Sequence, residues 1–258
     1  MNVLAQSPLV WETFLLVACR VATIIMIVPI FGGRSVPATV KIGLSLLLSL
    51  IFLPLIASHV TSLPEDMPVF LTLVAREFLL GALVGFAVLI VFTALQAAGH
   101  IVGLQMGFSL ANVVNPLTAD HASLIDQFYA LLAALIFFTL NGHHALILAI
   151  QQSFDIAPVG VAGLGLSPGP VLLAWGRDLF SIAIRISLPV VAALLLTDIA
   201  LAVIARSVPQ LNVFIVGMPA KVGIAFLMLI VTVPVTSVIM SRALANLGEA
   251  TALILRAG

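Results

Sequence analysis

The sequence predicts an all-α integral membrane protein of about six long apolar helices, arranged as hairpins with broken segments. Of its 258 residues, 62% are apolar and only 8% charged, where a soluble domain carries roughly 45–50% and about 25%. Apolar runs of bilayer length recur, and Ile42 to Val60 contains no Asp, Glu, Lys or Arg; about 20 such residues in a helix cross the hydrocarbon core. Runs such as Phe78 to Phe86 are apolar on every side, whereas a transmembrane barrel needs strands of alternating polarity.

The first element spans roughly Thr13 to Ile30. No Lys or Arg precedes it and no small-residue cleavage pattern follows, which argues against a removed signal peptide. Cys19, the only cysteine, lies inside it and reads as a packed thiol. The second element is Ile42 to Val60, after the punctuated connection Phe31 to Pro37; the third is Phe78 to Ala98, after Ser62 to Pro68. A fourth runs from Phe128 to Ile150, interrupted by Asn141-Gly142-His143-His144. The fifth, Leu179 to Thr197, follows the Gly- and Pro-rich Ala157 to Pro170, and the sixth is Val222 to Met240. One membrane domain over residues 1–258 is expected, with at most a weak two-part organisation around Pro158 to Pro170. Strict alternation of the helices puts Arg34, Lys41, Arg206 and Lys221 on one side and Arg76, Arg177, Arg242 and Arg256 on the other. That even split leaves the orientation rule without a signal.

Ten basic and ten acidic residues cancel, and no polybasic block exists, so nucleic acid is not an expected partner. The G-x-S-x-G, G-x-G-x-x-G and G-K-[ST] signatures are missing. Adjacent His143 and His144 would point about 100° apart on a helix, which is poor geometry for one metal ion. A helix break with hydrogen-bonded imidazoles is the favoured reading. No enzyme, metal or cofactor is therefore expected.

Three constellations carry information. Between Glu77 and Asp120 no formal charge occurs, and Gly107, Phe108, Ser109, Leu110, Asn112, Asn115 and Pro116 lie in a stretch that breaks the helical pattern. Pro116 lacks a backbone donor and drives Asn115 out of the α region. Irregular backbone at membrane depth survives only where protein buries it or water solvates it, so this is a candidate pore or cavity loop, with an ordinary surface connection as the alternative. Leading into it, Gly81, Gly85, Gly99, Gly103 and Gly107 keep a four-residue register that lets another backbone approach closely; packing within the chain and contact with a neighbouring subunit both fit. Arg20, Arg185, Asp198 and Arg206 fall in or beside apolar runs, where an ionised group needs a partner or an interior position. Asp198 shares a face with Arg206, about two turns on, and is also a candidate partner for Arg185. Structural pairing is favoured over a proton relay. Finally, Pro209, Gln210, Asn212, Phe214, Gly217 and Pro219, bracketed by Arg206 and Lys221, read as a helix-helix corner.

Several of these residues together resemble the FliR family of flagellar export-gate proteins. The resemblance runs through Ala98 to Ser109 with Asn115-Pro116, through Phe138 to His143, through Leu188-Pro189-Val190 to Arg206, and through Pro209 to Phe214 with Gly217-Met218-Pro219. Arg20, Pro29, Pro37 and Val40-Lys41 also fit, so nearly the whole chain is covered in order. The family usually has an acidic residue where His100 stands and Asp-Pro where Asn115-Pro116 stands. The resemblance implies a non-enzymatic subunit of the type III secretion gate of the bacterial inner membrane, within the flagellar basal body. It implies a helical hetero-oligomer with FliP and FliQ, further partners FlhB and FlhA, surrounding membrane lipid, and unfolded flagellar proteins as export substrates. The family's pore plug maps onto Gly107 to Ala119. Injectisome relatives share much of the pattern, and a small-solute secondary transporter, with broken helices at mid-membrane, is the competing class.

Overall fold

A computed structural model describes residues 8–33, 36–60, 62–64, 66–107, 124–160, 169–208, 210 and 212–245, and among these only helices and their connections occur. The helices are α1 (Pro8–Ile27), α2 (Pro29–Gly32), α3 (Ala38–Ala57), α4 (Met67–Met106), α5 (Leu124–Thr139), α6 (Gly142–Ile156), α7 (Gly169–Ser207) and α8 (Val213–Ala245). Five are long and apolar enough to cross a membrane, or six spans result if the bent pair α5 and α6 counts as one.

Proline and glycine set most of the breaks. Pro8 and Pro29 open α1 and α2, where a missing N–H costs nothing because the first turn has no intrahelical acceptor. Val28, before Pro29, is extended at φ −66°, ψ 121°, as the proline ring requires of its predecessor. Asn141 separates α5 from α6 in the left-handed region at φ 55°, ψ 33°, a conformation that Asn tolerates better than most residues. The run Phe128 to Ile150, expected as one interrupted span, is therefore two helices. Pro54, Pro189, Pro219 and Pro234 all sit inside helices.

Two helices outrun their apolar cores. α4 has 40 residues and α7 has 39, about 60 Å each and roughly twice the hydrocarbon thickness; the sequence reading assigned only Phe78 to Ala98 and Leu179 to Thr197. Their extra turns carry charges, among them Arg76 and Glu77 in α4 and Arg177, Asp178 and Arg206 in α7. Charge ends an apolar run but leaves backbone hydrogen bonding intact, so hydropathy stops before the helix does.

The chain divides into two compact units. The first holds α1 to α3, α4 up to Ile90, and the described residues of Asn141–Trp175 and Leu244–Gly258; the second holds those of Val91–Leu140 and Gly176–Ala243. The connection after α6, where a two-part division was conceivable, starts inside the first unit.

In the first unit α1 is the core: Leu16, Val17, Val21 and Ile24 are fully buried. Gly81 and Gly85 of α4 let α1 approach. A Cβ on Gly81 would lie 2.6 Å from the Arg20 carbonyl oxygen, and one on Gly85 would lie 2.9 Å from Ile27 Cβ. Phe52 of α3 meets Phe154 of α6 at 6.1 Å between ring centroids. In the second unit, α4 packs on α5 through Gly99, whose Cβ would stand 2.9 Å from the Tyr129 ring, and through Phe92 and Phe137 at 5.4 Å. Leu196, Ile199, Val203, Leu227, Ile230 and Val231 of α7 and α8 point outward. A water-soluble surface would hide such side chains; lipid or another apolar helix solvates them.

Candidate functional site

Buried charge distinguishes the first unit. Arg20 of α1 is fully buried, and its Nε donates to Glu77 Oε2 of α4 at 2.5 Å. Its Nη1 donates to the Ser153 carbonyl at 2.7 Å and its Nη2 to the Ala157 carbonyl at 2.9 Å. Both acceptors sit at the C-terminal end of α6, where partial negative charge gathers; the Ser153 carbonyl also accepts from the Ala157 N–H at 3.1 Å. α6 has no basic residue in its own last turn, so Arg20 supplies the cap from another helix. The Phe154 ring lies 4.2 Å below the guanidinium, a cation–π contact. Arg76 adds a donor to the Pro158 carbonyl at 3.2 Å. One cation thus ties α1, α4 and α6 together, and its fork of donors suits several acceptors at once.

The second unit carries a polar cluster at the end of α4. Lys221 Nζ of α8 pairs with Asp198 Oδ1 of α7 at 2.5 Å, and Gln105 Nε2 of α4 donates to Asp198 Oδ2 at 3.1 Å. Lys221 Nζ also donates to the Gln105 backbone carbonyl at 3.5 Å. Two residues on, Gly107 turns out of the helix at φ 87°, its N–H bonded to the Leu104 carbonyl at 3.1 Å; glycine is the residue for such a left-handed helix end. The other expected loop residues, Phe108, Ser109, Leu110, Asn112, Asn115 and Pro116, lie outside the described residues. One turn before the cluster, His100 and Asp126 approach to 3.6 Å beside a cavity of about 480 Å³ lined also by Thr93, Gln96 and Gln127.

The expected partner of Asp198 is corrected. Arg185 and Asp198 belong to the same helix, thirteen residues and about 20 Å apart along its axis, so they cannot pair. Arg185 is exposed, and Arg206, also exposed, sits in the last turn of α7, where a cation favours the helix dipole. The corner is shorter than expected. α7 ends at Ser207 and α8 begins at Val213, so Gln210 and Asn212 lie between the helices whereas Phe214, Gly217 and Pro219 are inside α8; Pro209 is outside the described residues. The Asn212 carbonyl accepts from the Ile215 and Val216 amides at 3.1 and 3.3 Å, which starts α8 early. Gly217 faces Leu201, 3.1 Å from where its Cβ would be. At Gly81, Gly85 and Gly99 the close approaches are to this chain's own helices, and Gly103 is buried. The His143 and His144 rings lie 4.3 Å apart between centroids, tilted by 50°, in the first turn of α6. Among the described residues no group of three or more His, Cys, Asp or Glu could hold a metal ion.

The family model described as bacterial export proteins, family 1, matches residues 11–247. The chain is 38% identical to the flagellar biosynthetic protein FliR of Bacillus subtilis (strain 168) over 235 residues, 89% of either chain. The chain belongs to the FliR family. FliR of Escherichia coli (strain K12) is 33% identical over 220 residues, covering 83% of this chain and 82% of that one. The injectisome side of the family is represented by the Yop proteins translocation protein T of Yersinia pestis, 30% identical over 233 residues, with 88% and 87% covered. FliR-family membership makes the chain a component of a type III export apparatus, in association with other proteins of that apparatus, and these relatives carry the names of export and flagellar biosynthetic proteins rather than of enzymes. Within this FliR-type chain, sequence reasoning picked out Arg20 and Asp198 as charges in or beside apolar runs but missed Glu77, Gln105 and Lys221 as their partners. Glu77 stands one residue before the apolar core of α4 and Lys221 just before that of α8; charges flanking a span look like interface residues until the helices are seen to extend past them.

Proposed function

We propose that this chain is a structural and gating subunit of the flagellar type III protein export gate in the bacterial inner membrane. It acts as one membrane domain over residues 1–258, forms part of the pore with FliP-type and FliQ-type subunits, meets FlhB-type and FlhA-type proteins, and passes unfolded flagellar proteins. The observation that carries this reading is a family match along nearly the whole chain combined with the uncharged sequence from Gly107 to Ala119 that follows the helix end at Gly107. Bulky apolar groups in that segment, Phe108 and Leu110, would exclude water and close the pore by dewetting.

The test is conductance. Shortening 107–119 in a complex assembled with FliP-type and FliQ-type subunits should let ions leak across the membrane. Unchanged conductance in an assembled complex refutes the plug. The injectisome counterpart is the second reading, supported by the 30% identity to the Yersinia protein. Restoring motility to cells lacking their FliR, without restoring secretion to cells lacking the translocation protein T, decides for the flagellar branch.

A further inference from the structure

The first unit holds a second polar arrangement, separate from the Arg20 network. The C-terminal ends of α3 and α6 border a cavity of about 320 Å³, within the range of small-ligand sites, about 300–1,000 Å³. Phe52 and Phe154 belong to its apolar wall, and His59, Gln151 and Asp155 are its polar side chains. Among the described residues no Lys or Arg lines it. Arg20, over the Phe154 ring, is fully buried and held by Glu77, and Arg76 donates to the Pro158 carbonyl. The His59 Nδ1 lies 3.0 Å from the Leu55 carbonyl. A carbonyl only accepts, so Nδ1 carries the ring proton and Nε2 keeps its lone pair. The Asp155 carboxylate, His59 Nε2 and the Gln151 amide oxygen are then three acceptors on one cavity.

Depth and charge identify the occupant. α3 has 20 residues, about 30 Å and one hydrocarbon thickness, so His59, just past its end, stands where lipid headgroups begin. Leu47, Ile51 and Leu55 follow one another at four-residue spacing and are more than half exposed, which makes them an apolar stripe along one face of the helix. Leu55 is also part of the cavity wall, so an acyl chain laid along the stripe brings its headgroup to the cavity. A carboxylate with no lining cation disfavours a headgroup that carries only a phosphate. Three acceptors match the three N–H donors of a primary ammonium, donors that a quaternary ammonium lacks. We propose that this cavity binds a membrane lipid with a primary ammonium headgroup, with Asp155 as the counter-charge and His59 and Gln151 as further acceptors. The plug reading is not needed for it.

The probes are phosphatidylethanolamine, its mono-, di- and trimethylated forms, and phosphatidylglycerol, all with the same acyl chains. Each is added to the full chain purified in mild detergent, and bound lipid is counted by native mass spectrometry. Affinity should fall with each methyl group and be lowest for phosphatidylglycerol. Asp155→Asn should weaken phosphatidylethanolamine about tenfold, the size of one hydrogen bond to a charged group, and erase its advantage over the trimethylated lipid. Asp178→Asn, at an exposed acid of α7, should change neither. Equal affinities across the series, or an advantage that survives Asp155→Asn, overturn the proposal. The methylation series needs no variant, so it decides even where Asp155→Asn fails to fold. Soluble phosphoethanolamine should compete poorly; competition on a par with the lipid would make this an amine site and overturn the lipid assignment. The series is repeated on complexes assembled with FliP-type and FliQ-type subunits. A preference present in the lone chain and lost in the complex would give the cavity to a partner's lysine, and the lipid assignment would fall.

Discussion

Replacing Glu77 by Gln keeps the side chain's shape but leaves the Arg20 guanidinium without a counter-charge in a site where both side chains are fully buried. Removing one partner of a buried pair typically costs about 3–5 kcal/mol. Two carbonyl acceptors and the Phe154 ring remain around the cation, so Glu77→Gln belongs at about 3 kcal/mol, which is roughly a hundredfold in the folded-to-unfolded ratio. Arg20→Met is worse, about 5 kcal/mol, because it leaves the buried Glu77 carboxylate only Arg76, at 3.9 Å, and removes the donors that cap the end of α6. Arg20→Met/Glu77→Met removes both fully buried charges and loses hydrogen bonds worth about 1 kcal/mol each, so it should outlast Arg20→Met. The assay is the unfolding of the purified chain in mild detergent titrated with a denaturing detergent, read as the midpoint and as protease resistance. An unchanged midpoint for Glu77→Gln, or a double variant as weak as the two singles added, refutes the reasoning.

Glycine substitutions should divide by what surrounds them: Gly81→Ala drives a methyl against the Arg20 backbone, whereas nothing lies within 4 Å of a Cβ on Gly43. Overpacking of this kind costs about 1–3 kcal/mol, so Gly81→Ala should lower the folded yield and Gly43→Ala should not. At Asn141, with its φ of 55°, Asn141→Gly should be tolerated, while Asn141→Val should cost about 1–3 kcal/mol in the same titration. Arg185→Gln should leave the midpoint of the isolated chain unchanged, since the carboxylate once expected beside it is held by Lys221; a clear loss would show that Arg185 has a structural partner after all.

Composition and run length alone determined that the chain is helical and membrane-embedded, because a bilayer admits few other ways to satisfy a backbone. Local stereochemistry was equally legible: Gly107 and Asn141 end helices where their residue types permit a positive φ. Helix ends were less so, since α4 and α7 continue through charges that a hydropathy reading treats as boundaries. Tertiary structure alone decided the pairings. Arg20 and Asp198 stood out by sequence because an ionised group in or beside an apolar run is expensive, yet that cost is indifferent to which residue offsets it, and the sequence pointed to Arg185 and Arg206 for Asp198 rather than to Lys221. Only the packing of α7 against α8 and α4 brings Lys221 and Gln105 to Asp198, and only the approach of α1 to α4 and α6 brings Glu77, Ser153 and Ala157 to Arg20. Spacing along the chain cannot report these meetings, because partners 57 and 137 residues apart, as Glu77 and Ala157 are from Arg20, meet through the fold and not through any local period.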